Sequence, residues 1–346
     1  DVLGKGLNVF GGGKGKDTEI WGSTTINLNE KSYVFQIFGG SEEGIIGKAT
    51  GTSTERDGTY DVNGVYSFNG KSYQYHPNYS CYVNLKGAKE GVPKSATSSD
   101  EMADCEYIYG GGFLGPICGN TVINLGKGRV YQTFGGSCNA DILGHTETYV
   151  GRQVNADGSF SEGFPYVRDY IYGGNDLGGR ILNKADFTSR IRQEVAGLTL
   201  PGMDAAREVS AYTEYTQGHL AGIYAGCYGT YDYTSLEFRD FFDEHGNAKE
   251  TYTKPRMDNA FVNFRPTATA LLKNNANNTV TKVYGAGQGS PGDSDRDIMQ
   301  DRSYILIDIP QDMENYKQME VFGAGAWSGL GMREYVAPIA TPNATE

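Results

Sequence analysis

Along this chain, short aliphatic and aromatic runs stop abruptly at glycine, and they do so eight times. The copies read Val9-Phe10-Gly11-Gly12, Ile37-Phe38-Gly39-Gly40, Ile108-Tyr109-Gly110-Gly111, Thr133-Phe134-Gly135-Gly136, Ile171-Tyr172-Gly173-Gly174, Ile223-Tyr224-Ala225-Gly226, Val283-Tyr284-Gly285-Ala286 and Val321-Phe322-Gly323-Ala324. A second pattern alternates strictly with period two. Ile20, Gly22, Thr24, Ile26 and Leu28 are matched, type for type, by Ile117, Gly119, Thr121, Ile123 and Leu125. A weaker copy runs Ile142, Gly144, Thr146, Thr148, Val150, and a degenerate one Ile45, Gly47, Ala49, Gly51. Such alternation predicts strands with one buried face, which puts Ile26, Ile123 and Val150 inside and Asn27 and Asn124 outside or in a ladder.

The spacing turns strands into an architecture. Gly22 to Gly47, Gly110 to Gly135 and Gly119 to Gly144 are each 25 residues apart. Two or three short strands cannot bury their inward side chains alone, but stacked coils align like residues into internal ladders. The expectation is an all-β chain forming a single β-solenoid domain over residues 1–346. A β-propeller is the alternative, although its blades need about 40–45 residues each. Longer gaps predict hairpin and helical insertions at about 52–104, 184–220 and 231–275. In the first, Asn63-Gly64 and Asn69-Gly70 read as type I′ turns of a small three-stranded meander, and the Ser- and charge-rich run from Lys89 to Asp104 reads as a loop. Asp186 to Ala196 reads as a short helix, N-capped by Asp186 and stopped at Gly197.

These two motifs resemble those of the glycine-rich, right-handed parallel β-helix proteins, which are similar to pectin-lyase-like folds and occur among surface and adhesin-like proteins of Gram-negative bacteria. The likeness is closest to versions from gut-dwelling Bacteroidetes and covers most of the chain. It implies secretion or surface display and contact with glycans or a host or cell-surface protein; some relatives of the fold cleave acidic polysaccharides. No catalytic motif of a lyase or hydrolase is matched residue by residue.

Composition narrows the partners. With 42 acidic against 30 basic side chains, a formal charge of −12 would repel nucleic acid and anionic lipid. No apolar run reaches the roughly 18 residues of a membrane helix, so no membrane insertion of this chain is expected. Glycine supplies 49 residues and proline 11, without the period of a collagen.

Candidate chemistry is sparse. Asp293, Asp295, Asp297 and Asp301 form the one dense acidic cluster, and alternate carboxylates on an extended loop suit a hard cation, so any metal here would be Ca²⁺; no Cys or His lies among them. The run departs from the EF-hand pattern, because Ile298 and Tyr304 stand where Gly and a bidentate Glu are required, and a solvated polar corner is the competing reading. His145 and His219 belong to no metal-ligand spacing. No Gly-x-Ser-x-Gly elbow is present, and Gly11 to Lys16 lacks the spacing of a phosphate loop. Tyrosine is abundant at 25 residues. Trp21 and Trp327 are candidates for a glycan platform, since an indole packs on a sugar ring while offering N–H at its edge. Cys81 and Cys105 bracket a polar stretch and are expected to clasp it as a disulfide. The leading expectation is a non-enzymatic recognition or adhesion protein; the alternative is a polysaccharide lyase or glycoside hydrolase of the pectin-lyase-like class.

Overall fold

The computed structural model describes residues 7–30, 32–87, 104–182, 209–231, 254–267, 280–289, 300–309, 316, 319–328 and 330. Among them the regular structure is β, apart from one turn of 3-10 helix at Pro77–Tyr79. The glycine-stopped runs form one row of strands. Asn8–Phe10, Tyr33–Phe38, Asp104–Tyr109, the second half of Thr121–Phe134, then Pro165–Val167 with Tyr170–Tyr172, Leu220–Tyr224, Val280–Tyr284 and Glu320–Phe322 each pair in parallel with the next. This row is called the aromatic sheet below.

The alternating runs form a second parallel row, the threonine sheet. Its order is Thr24–Asn29, Cys81–Lys86, the first half of Thr121–Phe134, Thr146–Val150, Val209–Tyr215, Met257–Phe264 and Gln300–Ile307. Because the 14-residue strand Thr121–Phe134 runs from one row into the other, the two make a single curled sheet of 15 strands. A narrow third line runs beside the two rows. Glu19–Ile20 pairs with Ile45–Ile46, and single parallel bridges continue through Ile117, Ile142 and Ile181. Rungs stacked in chain order and paired in parallel are what a solenoid requires, whereas propeller blades are antiparallel.

The core follows from this stacking. Ile37, Ile108, Ile171 and Ile223 from the aromatic sheet meet Val83, Ile123, Leu125 and Val150 from the threonine sheet and Ile117 and Ile142 from the third line, all buried in one cluster. Ile26 is only partly buried because it belongs to the first rung and is covered from one side. Asn27, Asn84 and Asn124 form the expected ladder, with Asn84 Nδ2 donating to Asn27 Oδ1 at 3.0 Å and Asn124 Nδ2 to Asn84 Oδ1 at 2.7 Å. Glycine at the end of each aromatic run has a packing reason. A Cβ on Gly110 would collide with the carbonyl oxygen of Gly135 on the next rung, and one on Gly39 with that of Gly110.

On the aromatic sheet's outer side, one ring per repeat builds a continuous stack. Phe10, Phe38, Tyr109, Phe134, Tyr172, Tyr224, Tyr284 and Phe322 follow at centroid separations of 4.8, 4.7, 4.8, 5.1, 5.2, 4.3 and 4.8 Å, all near-parallel. These spacings match the distance between neighbouring strands, about 4.8 Å, so strand pairing itself sets the ring stack.

Several expectations are corrected. The expected insertions contain regular rungs: Cys81–Lys86 lies within 52–104, Val209–Tyr215 within 184–220 and Met257–Phe264 within 231–275. They escape the alternating motif because their inward positions are filled differently, by Cys81, Val83 and Leu85, by Ala211, Thr213 and Tyr215, and by Ala260, Val262 and Phe264. The first insertion does carry a small antiparallel sheet. Asn69 and Gly70 both have positive φ, as a type I′ turn demands. At Asn63-Gly64 only Gly64 does, and the Gly64 N–H bonds the Asp61 carbonyl, giving a three-residue loop instead. The expected three-stranded meander is present: Tyr60 bridges Tyr66 antiparallel across the first loop and Val65–Phe68 pairs with Lys71–Gln74 across the second, while Gly51–Thr52 adds a short strand on the far side of Lys71–Gln74. The expected helix at Asp186 to Ala196 and the loop from Lys89 to 103 lie outside the described residues; Asp104 begins a strand.

Candidate functional site

The outer side of the aromatic sheet carries a second row beside the buried ring stack. Inward residues in three consecutive rungs, Val34 and Ile37, Cys105 and Ile108, Val130 and Thr133, are three apart rather than two. Each rung therefore turns two neighbours outward, Phe35 with Gln36, Glu106 with Tyr107, and Tyr131 with Gln132. Phe35 meets Tyr107 edge to face at 5.8 Å, and Tyr107 meets Tyr131 in the same manner at 5.7 Å. All three rings are half-buried.

Polar groups frame these rings. The exposed Arg168 guanidinium lies 5.6 Å from the Tyr131 ring centre. Gln132 Nε2 donates to Asp169 Oδ2 at 2.6 Å, and Arg129 pairs with Asp104. On the next rungs Tyr166 stacks flat on His219 at 4.5 Å. Partial burial pushes the Asp169 carboxyl above the usual carboxylate range, against the hydrogen bond from Gln132 and the Arg168 charge. Burial also raises the Tyr107 phenol, helped by Tyr131 and Glu106, so this hydroxyl stays protonated as a donor. Half-exposed rings beside amides, carboxylates and guanidinium groups can pack against the apolar face of a ring-shaped ligand while binding its hydroxyls.

The residues nominated from sequence stand elsewhere. Trp21 is 66% and Trp327 57% exposed, but they belong to the first and last rungs and cannot form one platform. Trp21 is engaged locally. Its indole N–H donates to Glu19 Oε2 at 2.8 Å, and Lys48 Nζ sits 4.8 Å from its ring centre. Glu19 also receives Lys71 Nζ at 2.5 Å and the Tyr73 hydroxyl at 3.2 Å, so it pins the inserted sheet to the first rung. Burial opposes ionisation of Glu19, yet the bonds from Lys71, Trp21 and the Ala49 amide hold its carboxyl down at about 2.

Asp293, Asp295 and Asp297 lie outside the described residues, while Asp301 sits in the strand Gln300–Ile307 and has interactions of its own. Among the described residues no three His, Cys, Asp or Glu side chains converge as a metal site. Cys81 and Cys105 are free, buried thiols rather than a disulfide. Each fills an inward core position, Cys81 in register with Thr24 and Thr121, Cys105 with Val34 and Val130, on different rows of the sheet. Burial pushes the Cys81 thiol up to about 12, which removes it from thiolate chemistry.

A further polar network runs along the outer side of the threonine sheet. His145 Nε2 lies 2.8 Å from Glu147 Oε1, the Tyr149 hydroxyl donates to Glu147 Oε2 at 2.5 Å, and the Arg152 guanidinium lies 3.0 Å from the Tyr149 ring centre. Tyr212 donates to Glu214 at 2.7 Å on the adjoining rung, where Arg265 also approaches at 3.5 Å. These are acid–base residue types on neighbouring rungs, but His145, Glu147, Tyr149 and Tyr212 are all buried.

The outward aromatic row went unnominated in the sequence. Its signal was available two or three residues ahead of each ladder ring, in Phe35-Gln36-Ile37-Phe38, Tyr107-Ile108-Tyr109 and Tyr131-Gln132-Thr133-Phe134. Strict alternation hides it, because a doubled outward step breaks period two. Among the described residues no helix is long and apolar enough to cross a membrane. Compared with known proteins, the chain matches no family model, no curated protein and no solved structure.

Proposed function

We propose that this chain is a secreted or surface-displayed right-handed parallel β-helix that recognises glycans through its outward aromatic row and catalyses no reaction. The observation that carries this reading is the placement of Phe35, Tyr107 and Tyr131 on three consecutive rungs, half-exposed and bordered by Gln36, Gln132, Glu106, Asp169 and Arg168. The excess of acid argues for neutral or hydroxyl-rich glycans over polyanions, because a −12 chain repels the latter.

The alternative, a lyase or hydrolase of the pectin-lyase-like class, draws on Glu147 and Glu214 with Arg152 and Arg265. Burial of Glu147 withholds that carboxylate from a polymer chain.

A glycan array, paired with incubation on neutral and acidic polysaccharides, separates the two readings. The expected outcome is binding without new chain ends, weakened about tenfold, or ~1.4 kcal/mol, by each of Tyr107→Ala and Tyr131→Ala. Release of cleavage products would establish the enzyme reading, and binding unaffected by both substitutions would remove the aromatic row.

A further inference from the structure

We propose that copies of this chain associate end to end, the first rung of one copy adding as a parallel strand to the last rung of another. This proposal is independent of glycan binding. It starts from what each step of the aromatic sheet repeats: parallel backbone pairing, ring on ring, and a glycine whose absent Cβ leaves room for a backbone oxygen of the following rung. Gly11 receives the carbonyl of Gly39, Gly39 that of Gly110, Gly110 that of Gly135, Gly135 that of Gly173, Gly173 that of Ala225, and Gly285 that of Gly323. Only the sixth rung departs, with Ala225 in the glycine's place.

Gly323 ends the series with its place unfilled among the described residues. Among the described residues nothing lies within 4 Å of where its Cβ would be, and its φ is not in the left-handed region. Among the described residues neither crowding nor backbone conformation calls for glycine there, yet the residue is shaped like the sockets that accept a following rung. The residues before it are also prepared. Val321 is 46% and Phe322 41% exposed, whereas their counterparts Ile37 and Phe38 are buried. Phe322 stacks on Tyr284 at 4.8 Å with its other side unstacked among the described residues.

The opposite end supplies the matching piece. Among the described residues Asn8–Phe10 pairs only with Tyr33–Phe38, which leaves its outer edge open, and Leu7 beside it is exposed. Its triad Val9-Phe10-Gly11 has the same residues as Val321-Phe322-Gly323. Docked in continued register, Phe10 of one copy stacks on Phe322 of the other, the Gly11 carbonyl enters the Gly323 socket, and Asn8 lies beside Glu320. No like charges meet at that step. The triad therefore selects a second copy of this chain as the occupant. Such a contact joins different surfaces of the two copies and need not close, so it yields linear assemblies.

Sedimentation velocity of the full chain, from nanomolar to high micromolar concentration, tests this together with two variants. Gly323→Val fills the socket, and because that space is open among the described residues the fold should tolerate it; Gly51→Val makes the same change at an equally open glycine in the inserted antiparallel sheet, away from the first and last rungs. The expected result is a mass that rises in multiples of 37.6 kDa with concentration for the native chain and Gly51→Val, while Gly323→Val stays at one copy with unchanged near-UV circular dichroism. A native chain that remains a single copy throughout overturns the proposal. So does a Gly323→Val variant that associates as the native chain does, which would also be the outcome if another surface made the contact.

Discussion

Thr146 and Thr148 sit two residues apart on one strand, both face the interior, and their hydroxyls have opposite fates. Thr146 Oγ1 donates to the Gly173 carbonyl at 2.6 Å, as Thr121 does to Gly135 and Thr24 to Gly39. Among the described residues the buried hydroxyl of Thr148 has no hydrogen-bond partner, nor have those of Thr133 and Thr213. Thr146→Val should therefore cost about 1 kcal/mol, and Thr148→Val should leave stability unchanged or raise it by about 1 kcal/mol. Urea denaturation of both variants checks the pair, and equal losses would contradict the assigned bonding. Asp176 offers a second residue-level test. It is buried on the outer side of the aromatic sheet, accepting from the Tyr231 hydroxyl at 2.7 Å, the Tyr109 hydroxyl at 3.0 Å and the Cys138 thiol at 3.9 Å. Burial lifts its carboxyl to about 6 despite those three donors. Between the ordinary carboxylate range and that value the folded chain holds a proton that the unfolded chain has released. The Asp176 contribution is thus fully present below about pH 4 and lost as pH rises through about 6, on the order of 3 kcal/mol. Comparing unfolding free energies of the native chain and Asp176→Asn across this range should isolate the fall, and a difference that does not change with pH would contradict it.

At the scale of the strand, the ring stack is the element that the repeats write most plainly. Every Val/Ile-Phe/Tyr-Gly unit contributes one ring to it, and the spacing of rings is the spacing of strands. Phe134, between Tyr109 and Tyr172 with Tyr228 against its edge, should lose about 3–5 kcal/mol on change to alanine. Phe10, with Phe38 on one side alone among the described residues, should lose less. Calorimetry on the two variants decides, and equal costs would mean that stacking is not what the rings contribute. The glycine-stopped runs were legible because a ring followed by a tightly packed glycine tolerates few substitutes. Rungs Val209–Tyr215 and Met257–Phe264 were not, because the interior accepts any side-chain set of suitable volume, so Ala211 and Tyr215 replace the Thr121 and Leu125 of the clear copies. The outward row at Phe35, Tyr107 and Tyr131 was obscured by the doubled outward step, and Cys81 was misread because its position in a rung depends on pairing with strands distant in sequence.

For the molecule as a whole, strand order reproduces chain order along both rows of the sheet, and the inserted antiparallel sheet hangs from the first rungs by Glu19 without interrupting either row. A linear stack separates its first and last repeats, whereas a closed ring of repeats brings them together. Asn8, Gln36, Tyr107 and Gln132 share one column, which continues through Tyr170, Gly222 and Lys282 to Glu320. Seven steps of about 4.8 Å separate its ends, roughly 34 Å. The direct measurement is a dipolar electron paramagnetic resonance distance between spin labels at Asn8→Cys and Glu320→Cys, with the doubly labelled protein diluted in unlabelled chain so that contacts between copies do not register. The five native cysteines are buried and should not take label. Stacked rungs predict a single distribution centred near 34 Å, widened by the label arms; a distribution centred near one strand spacing, about 5 Å, would contradict the stack.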